Sequence, residues 1–367
     1  MKAAGIILAG GSSIGLKELT TKRASAAMPV GAAYRAVDFG LSNMTNSGIK
    51  TVAVLTQYNS RSLHEHLNSS KWWNFGRKQG GLFTFTPTIT KNNNWWYRGT
   101  ADSLYQNMDF LRKRHEPYVV IYPGDCVCKF DFNKMLKFHE EKGADISIAV
   151  KHMEDSEDLR RLGIVEMDQD KRIRQFSEKP MKASSNIASM GIYIIKKDLL
   201  MKLLQESHDE ERYDLVQDIL IRYKDVEKIY GYEFDGYWSN INTVDSYYRC
   251  NMDFLKKDIR HYFEKEPAIK SKTEDLPSAK FNEGSVVKNA LISSGCIING
   301  EIENSVLCKK VFVGKGAVIK NSIVLNETYI EDGAVIENCI VESHERIPGN
   351  AEFIGEAEEP KIVRLKN

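Results

Sequence analysis

The sequence predicts an α/β protein in two parts: a Rossmann-like domain built on a mostly parallel sheet, then a left-handed parallel β-helix. Three observations carry this. Short apolar runs alternate with amphipathic stretches up to about residue 250. The first run, Gly5-Ile6-Ile7-Leu8-Ala9, breaks into Gly10-Gly11. Beyond residue 281, apolar residues return every five or six positions inside a 17-residue unit.

The runs Gly5–Ala9, Thr51–Leu55, Tyr118–Tyr122, Ile146–Val150 and Gly191–Ile195 have the length of buried strands. Ala101–Lys113 and Phe132–Lys142 have helical periodicity. Sheets of this kind bind ligands at the carboxyl ends of their strands, so Gly10-Gly11 and Gly124-Asp125 are expected on one cleft. A strand ending in two glycines lets backbone N–H groups approach a phosphate or a base, because no Cβ stands in the way.

Tyr247–Glu264 reads as helical, and Glu266–Pro277 as a polar linker with two prolines. In the last part the hexapeptide I-E-N-S-V-L at Ile302 recurs as I-K-N-S-I-V at Ile319 and I-E-N-C-I-V at Ile336, with a looser copy at Val287. One apolar residue per flat face of a three-sided coil gives this spacing, whereas a helical heptad does not. The expected domains are 1–249 for the sheet, 250–277 for the helical segment and linker, and 278–367 for the β-helix. The charged tail after Gly355 is expected to be mobile.

Composition narrows the function. Lys and Arg number 51 against 50 Asp and Glu, so no net field draws the chain to nucleic acid or an anionic membrane. The six cysteines (Cys126, Cys128, Cys250, Cys296, Cys308, Cys339) form no C-x-x-C pair and are expected to be buried free thiols. No segment approaches the ~20 apolar residues needed to span a bilayer, and a cytoplasmic location is expected.

The first half holds further motifs. Trp96-Tyr97-Arg98-Gly99-Thr100-Ala101-Asp102 opens a helix whose free N–H groups would favour an anion. Pro123-Gly124-Asp125, F-S-E-K-P at Phe176, A-S-M-G-I-Y at Ala188 and Gly236-Tyr237-Trp238 follow. With L-A-G-G at the start and the β-helix at the end, the set resembles the bacterial glucose-1-phosphate adenylyltransferases (ADP-glucose pyrophosphorylases) of glycogen synthesis. The resemblance runs from about residue 3 to about residue 355. L-A-G-G is common to many sugar nucleotidyltransferases; W-Y-R-G-T-A-D, A-S-M-G-I-Y and Y-R-x-x-D-F from Tyr34 to Phe39 are far more specific.

That resemblance implies a reaction and a set of roles. A sugar 1-phosphate attacks the α-phosphate of ATP and pyrophosphate leaves, chemistry that rests on positioning and charge neutralisation. The nucleotide would lie on Leu8, Ala9, Gly10, Gly11, Gly99, Thr100 and Ala101. Glucose 1-phosphate would meet Lys179 and Ser189, with Glu178 on its hydroxyls, and Asp125 would hold Mg2+. Lys22, Arg23 and Arg35 would take a sugar-phosphate activator, a set suited to a bisphosphate.

The chain departs from the family pattern where charge is needed. The family's loop R-G-x-R-L has its two arginines at Ser12 and Gly15 here, its R-A-K-P-A lysine at Ser25, and its Y-W-R-D-V-G-T aspartate at Asn240. Each loss is expected to cost on the order of 10²–10³ in rate, acting on one transition state and so not simply multiplying. A fold kept while its charges are removed resembles the GlgD-type regulatory subunit, partner of a catalytic chain in a homo- or heterotetramer. Two alternatives stand beside this one. The chain is an active sugar-1-phosphate nucleotidyltransferase, with Lys17 or Lys22 replacing the lost arginine, or the β-helix is an acyltransferase using His344.

Residue by residue there are blander readings too. Gly10-Gly11 reads as a strand-to-loop turn and Asp125 as a capping residue. Glu178-Lys179 and the basic trio read as solvated charges, and Trp72-Trp73 and Trp95-Trp96 as packing.

Overall fold

The computed structural model describes residues 1–11, 14–76, 80–88, 96–154 and 159–365. Its chain forms two compact units. One comprises Met1–Gly11, Gly40–Ser60 and Asn68–Trp238; the other comprises Ser12–Phe39, Arg61–Leu67 and Ser239–Asn367.

Among the described residues, the first unit is organised by a nine-stranded sheet. Strands Ala3–Ala9, Thr51–Thr56, Gly81–Phe85 and Tyr118–Pro123 run parallel, in register Ile6↔Ala53 and Ile6↔Ile121. Seven of the nine strands share that direction; Ile173–Glu178 and Ile187–Lys196 oppose it. Continuous apolar runs such as Val119-Val120-Ile121-Tyr122 are wholly buried, as strands covered on both faces require. The core joins these strands to Leu200, Leu203 and Leu204 of helix Lys197–Asp209. The stretch Ala101–Lys113 forms two short helices, Thr100–Gln106 and Met108–Arg112, because Asn107 turns its amide back onto the Ser103 carbonyl.

In the second unit the 17-residue repeat closes into a left-handed parallel β-helix. Val287↔Ile302↔Ile319↔Ile336↔Phe353 form one column of register partners, and Ile298, Val313, Ile330 and Ile347 another. The corners explain the invariant asparagine of the hexapeptides. Asn289, Asn304, Asn321 and Asn338 all have φ between 44 and 51°, a region that Asn tolerates better than most residues. Their amides also bond from coil to coil, Asn289 to Asn304 at 2.9 Å and Asn304 to Asn321 at 2.7 Å.

Two expectations are corrected here. The tail returns to the fold, since Lys361–Val363 pairs with Cys339–Val341 and Val363 is 2% exposed, one more inward residue for the stack. Tyr247–Glu264 is two helices, Val244–Asp253 and Lys257–Glu264. The bend between them lets Phe254 and Phe263 stack at 5.1 Å, with Phe39 packed edge-on against Phe263. All six cysteines are buried and free. Among the described residues no helix is long and apolar enough to cross a membrane.

Candidate active site

In the first unit, the register Leu8↔Leu55 and Leu8↔Pro123 brings the ends of three parallel strands level. Gly10-Gly11 and Gly124-Asp125 therefore leave neighbouring strands at one edge, and the Gly124 N–H donates to the Leu8 carbonyl at 2.8 Å. Leu8 and Gly10 are half-buried, Ala9 is buried, and Gly11 opens onto free space, where even a Cβ would meet nothing within 4 Å. Burial raises the Asp125 carboxyl above its usual range, while its own backbone N–H and Lys179 draw it back.

The W-Y-R-G-T-A-D segment differs from expectation. The Ala101 and Asp102 N–H groups donate to the Tyr213 carbonyl, at 2.8 and 3.3 Å, so they are not free for an anion. Gly99 allows this approach: a Cβ there would stand 2.3 Å from that carbonyl oxygen. Leu215 N–H donates to Thr100 Oγ1, and the Arg98 guanidinium stacks 3.7 Å above the Tyr213 ring. A seven-residue helix has its first amides satisfied from within the fold. On the other side, Gln57 holds the backbone of Tyr97 through both amide atoms, and Trp96 lies parallel to Tyr58 at 6.2 Å.

Glu178, Lys179 and Ser189 converge. Gly163 pairs with Glu178 on one side and Ser189 on the other, and having no Cβ it leaves room for the Glu178 carboxylate. Lys179 Nζ stands 3.4 Å from Glu178 Oε1. Burial raises the Glu178 carboxyl, with Lys179 opposing and Asp214 adding to the rise. A β-bulge at Gly191 (φ +71°) turns the Ser189 hydroxyl to accept the Gly191 N–H, at 3.3 Å. Tyr193 joins the group: burial raises its phenol, the Ser189 hydroxyl bonds to it, and Glu178 and Asp214 both repel its ionised form. Tyr193 and Asp214 were not singled out from the sequence. Tyr193 closes the A-S-M-G-I-Y motif and was legible there, but Asp214 lies in no motif read above.

In the second unit, Gly15 packs so tightly that a Cβ would fall 2.5 Å from the Asn242 carbonyl oxygen. Gly15 itself is exposed, but the arginine that the family pattern has at this position would require the Asn242 backbone to shift. Ser25 is 7% exposed at the start of a short 3-10 turn. Asn240 Oδ1 is buried with no hydrogen-bond partner among the described residues. Of the basic trio, Lys22 is exposed, Arg23 is paired with Glu342 at 2.6 Å, and Arg35 Nη1 donates to the Ser62 carbonyl at 3.0 Å. Burial lowers the Arg35 pKa, with Asp38 opposing and Arg23 adding to the fall. Ser12 and Trp95 lie outside the described residues, Trp73 is core, and exposed His344 stands 3.4 Å from Glu327.

Among the described residues, no group of three or more His, Cys, Asp or Glu converges as a metal site. Mg2+ needs only one or two protein oxygens when water and phosphates complete its shell. Asp125, in the first unit, supplies one such carboxylate, and the donor type fits.

Comparison with known proteins gives the family. The nucleotidyl transferase family matches residues 4–257, and the GlmU-like C-terminal hexapeptide family matches residues 277–364. The glucose-1-phosphate adenylyltransferase of Clostridium perfringens (strain 13 / Type A) is 39% identical over 318 residues, 86% of this chain and 81% of that protein. The enzyme so named from Thermosipho africanus is 37% identical over 86% of this chain and 77% of its own length. That of Geobacillus stearothermophilus is 36% identical over 87% and 83%.

Proposed function

The chain belongs to the glucose-1-phosphate adenylyltransferase family, and from that premise we propose that it is a regulatory subunit of ADP-glucose synthesis, catalytically weak by itself. It would work in the cytoplasm beside a catalytic chain of the same family. The observation that carries this is Gly15, set against the Asn242 carbonyl where the family pattern has the arginine facing the leaving pyrophosphate. Ser25 and Asn240 support it, since neither brings charge to the phosphates or the metal.

Lys179, Ser189 and Glu178 would bind glucose 1-phosphate, a cation and a hydroxyl on the phosphate and a carboxylate on the sugar. Leu8 to Gly11, with the rigidly held Gly99 to Ala101, would pass along the nucleotide. Asp125 would be the protein oxygen for Mg2+, which when bound supplies positive charge to the phosphates. A pocket of this kind binds reactants in the ground state, but it lacks the charges that would bind the transition state more tightly. Exposed Phe281 and Val287, inward-facing residues at the open first coil of the β-helix, favour stacking against another chain.

The purified chain, assayed with ATP, glucose 1-phosphate and Mg2+, is expected to make little ADP-glucose. Co-purified with a catalytic chain, it should form a mixed oligomer with an altered activator response. Turnover alone within about tenfold of a normal family enzyme would end this reading. The second reading, an active adenylyltransferase, is favoured by the intact Glu178–Lys179–Ser189 group, and that same assay decides between them.

A further inference from the structure

We propose that Glu342 is a built-in counter-anion: it occupies Arg23 and so closes, from within the second unit, a cradle that would otherwise take a phosphate group. The anomaly is visible in the repeat. Successive coils place Cys308, Leu325 and Glu342 at equivalent positions, 17 residues apart. Cys308 and Leu325 are apolar and buried at 1% and 0% exposure, yet Glu342 is also only 6% exposed. A carboxylate in an apolar column is costly unless it is paired and hydrogen-bonded.

Its partner comes from the other end of the chain. Arg23 Nη2 donates to Glu342 Oε1 at 2.6 Å, with both side chains nearly out of solvent. The same Oε1 accepts the Ser343 N–H at 2.7 Å. The Glu342 backbone is fixed as well: its N–H donates to the Val363 carbonyl, and its carbonyl accepts the Thr328 hydroxyl. Arg23 Nη1 is buried with no hydrogen-bond partner among the described residues.

Other charges gather here in balanced fashion. The Cys308 thiol lies within electrostatic reach of Arg23, Lys309 and Arg35, and Lys309 pairs with Glu274 at 3.2 Å. Carboxylates of the chain answer each cation: Glu342 meets Arg23, Glu274 meets Lys309, and Asp38, Glu274 and Glu65 act on Arg35. Phosphate offers a guanidinium the same fork of oxygens as a carboxylate, with more charge. While Glu342 holds its place, a phosphate must displace it, and apparent affinity falls by the fraction of molecules in which the latch is open. That this cradle is a regulatory site rests on the effector role given above to Lys22, Arg23 and Arg35; its closure by Glu342 does not.

The probe is inorganic phosphate, against chloride at equal ionic strength, on the full chain. Phosphate and chloride should leave the wild-type Tm alike. Glu342→Ala should lower Tm, millimolar phosphate should then raise it, and apparent phosphate affinity should exceed wild type by roughly tenfold or more. The double variant Arg23→Gln/Glu342→Ala should lose that rescue. Equal responses in wild type and Glu342→Ala, or rescue that survives in the double variant, overturn the proposal. If Glu342→Ala does not fold, calorimetry on the isosteric Glu342→Gln replaces it, with the same gain expected and its absence equally fatal. A sugar bisphosphate separates the two ideas. Tight wild-type binding that Arg23→Gln abolishes and Glu342→Gln leaves unchanged keeps the effector site and sinks the latch. A phosphate gain in Glu342→Ala with no bisphosphate binding to any variant keeps the latch and sinks the effector site.

Discussion

Around Gly163, in the first unit, Glu178, Lys179, Ser189, Tyr193 and Asp214 gather within bonding or electrostatic reach of one another. Around Gly15 and Ser25, in the second, the neighbours are a backbone carbonyl and a buried hydroxyl, and the charged Arg23 close by is already answered by Glu342. The first region keeps ionisable groups together and lets burial shift them; the second carries none at Gly15 and Ser25 and neutralises Arg23 internally. Holding a sugar phosphate takes a cation and a fitted wall. Releasing pyrophosphate takes charge placed where negative charge develops, and a chain can lose the second capacity while keeping the first.

The contrast can be broken or sharpened, and the largest expected effect probes how the first unit tolerates a buried ionisable group. Burial, aided by Lys196, lowers the His139 pKa from 6.5 to about 4, with its Nδ1 2.8 Å from the Ser147 hydroxyl. Because the folded pKa lies below the unfolded one, the unfolded chain binds more protons between these values. Stability is therefore full above pH 6.5 and falls as pH drops towards 4, by on the order of 3 kcal/mol. Denaturant melts across that range should show the fall, and His139→Gln should flatten it.

Next in size, Lys179→Ala should weaken glucose 1-phosphate binding by ~10²-fold in calorimetry, since a charge-assisted bond is lost. Ser25→Ala should leave it unchanged, and equal effects would erase the contrast. Gly15→Arg should destabilise the chain by about 1–3 kcal/mol, because its Cβ must displace the Asn242 backbone. It should add no ADP-glucose synthesis by itself; a rise in turnover would mean that charge alone was missing. Smallest of all, Asn304→Ala should cost about 1 kcal/mol in a thermal melt, because alanine fits the φ of +46° less well.

Much of the fold was legible. Thr51–Thr56 and Tyr118–Pro123 begin where the sequence suggested, because a buried strand is a continuous apolar run and such runs are local. The β-helix was legible for the same reason, each coil repeating one inward residue per face. The helix break at Asn107 was not, since it depends on an amide finding the Ser103 carbonyl. Motifs located Glu178, Lys179 and Ser189. They also suggested free amides where W-Y-R-G-T-A-D opens its helix, but the Tyr213 carbonyl, over a hundred positions away in the chain, accepts the Ala101 and Asp102 N–H groups.

By itself, then, the sequence determined the alternation of strands and helices, the triangular coil and the positions where charge is missing. These are set by residue type and short-range spacing. Tertiary structure alone decided that Asp214 stands near Glu178, that a Cβ at Gly15 would meet the Asn242 carbonyl, and that Glu342 answers Arg23 across a separation of 319 residues. Burial and pairing energies depend on which distant groups meet once water is excluded, and no local pattern records that.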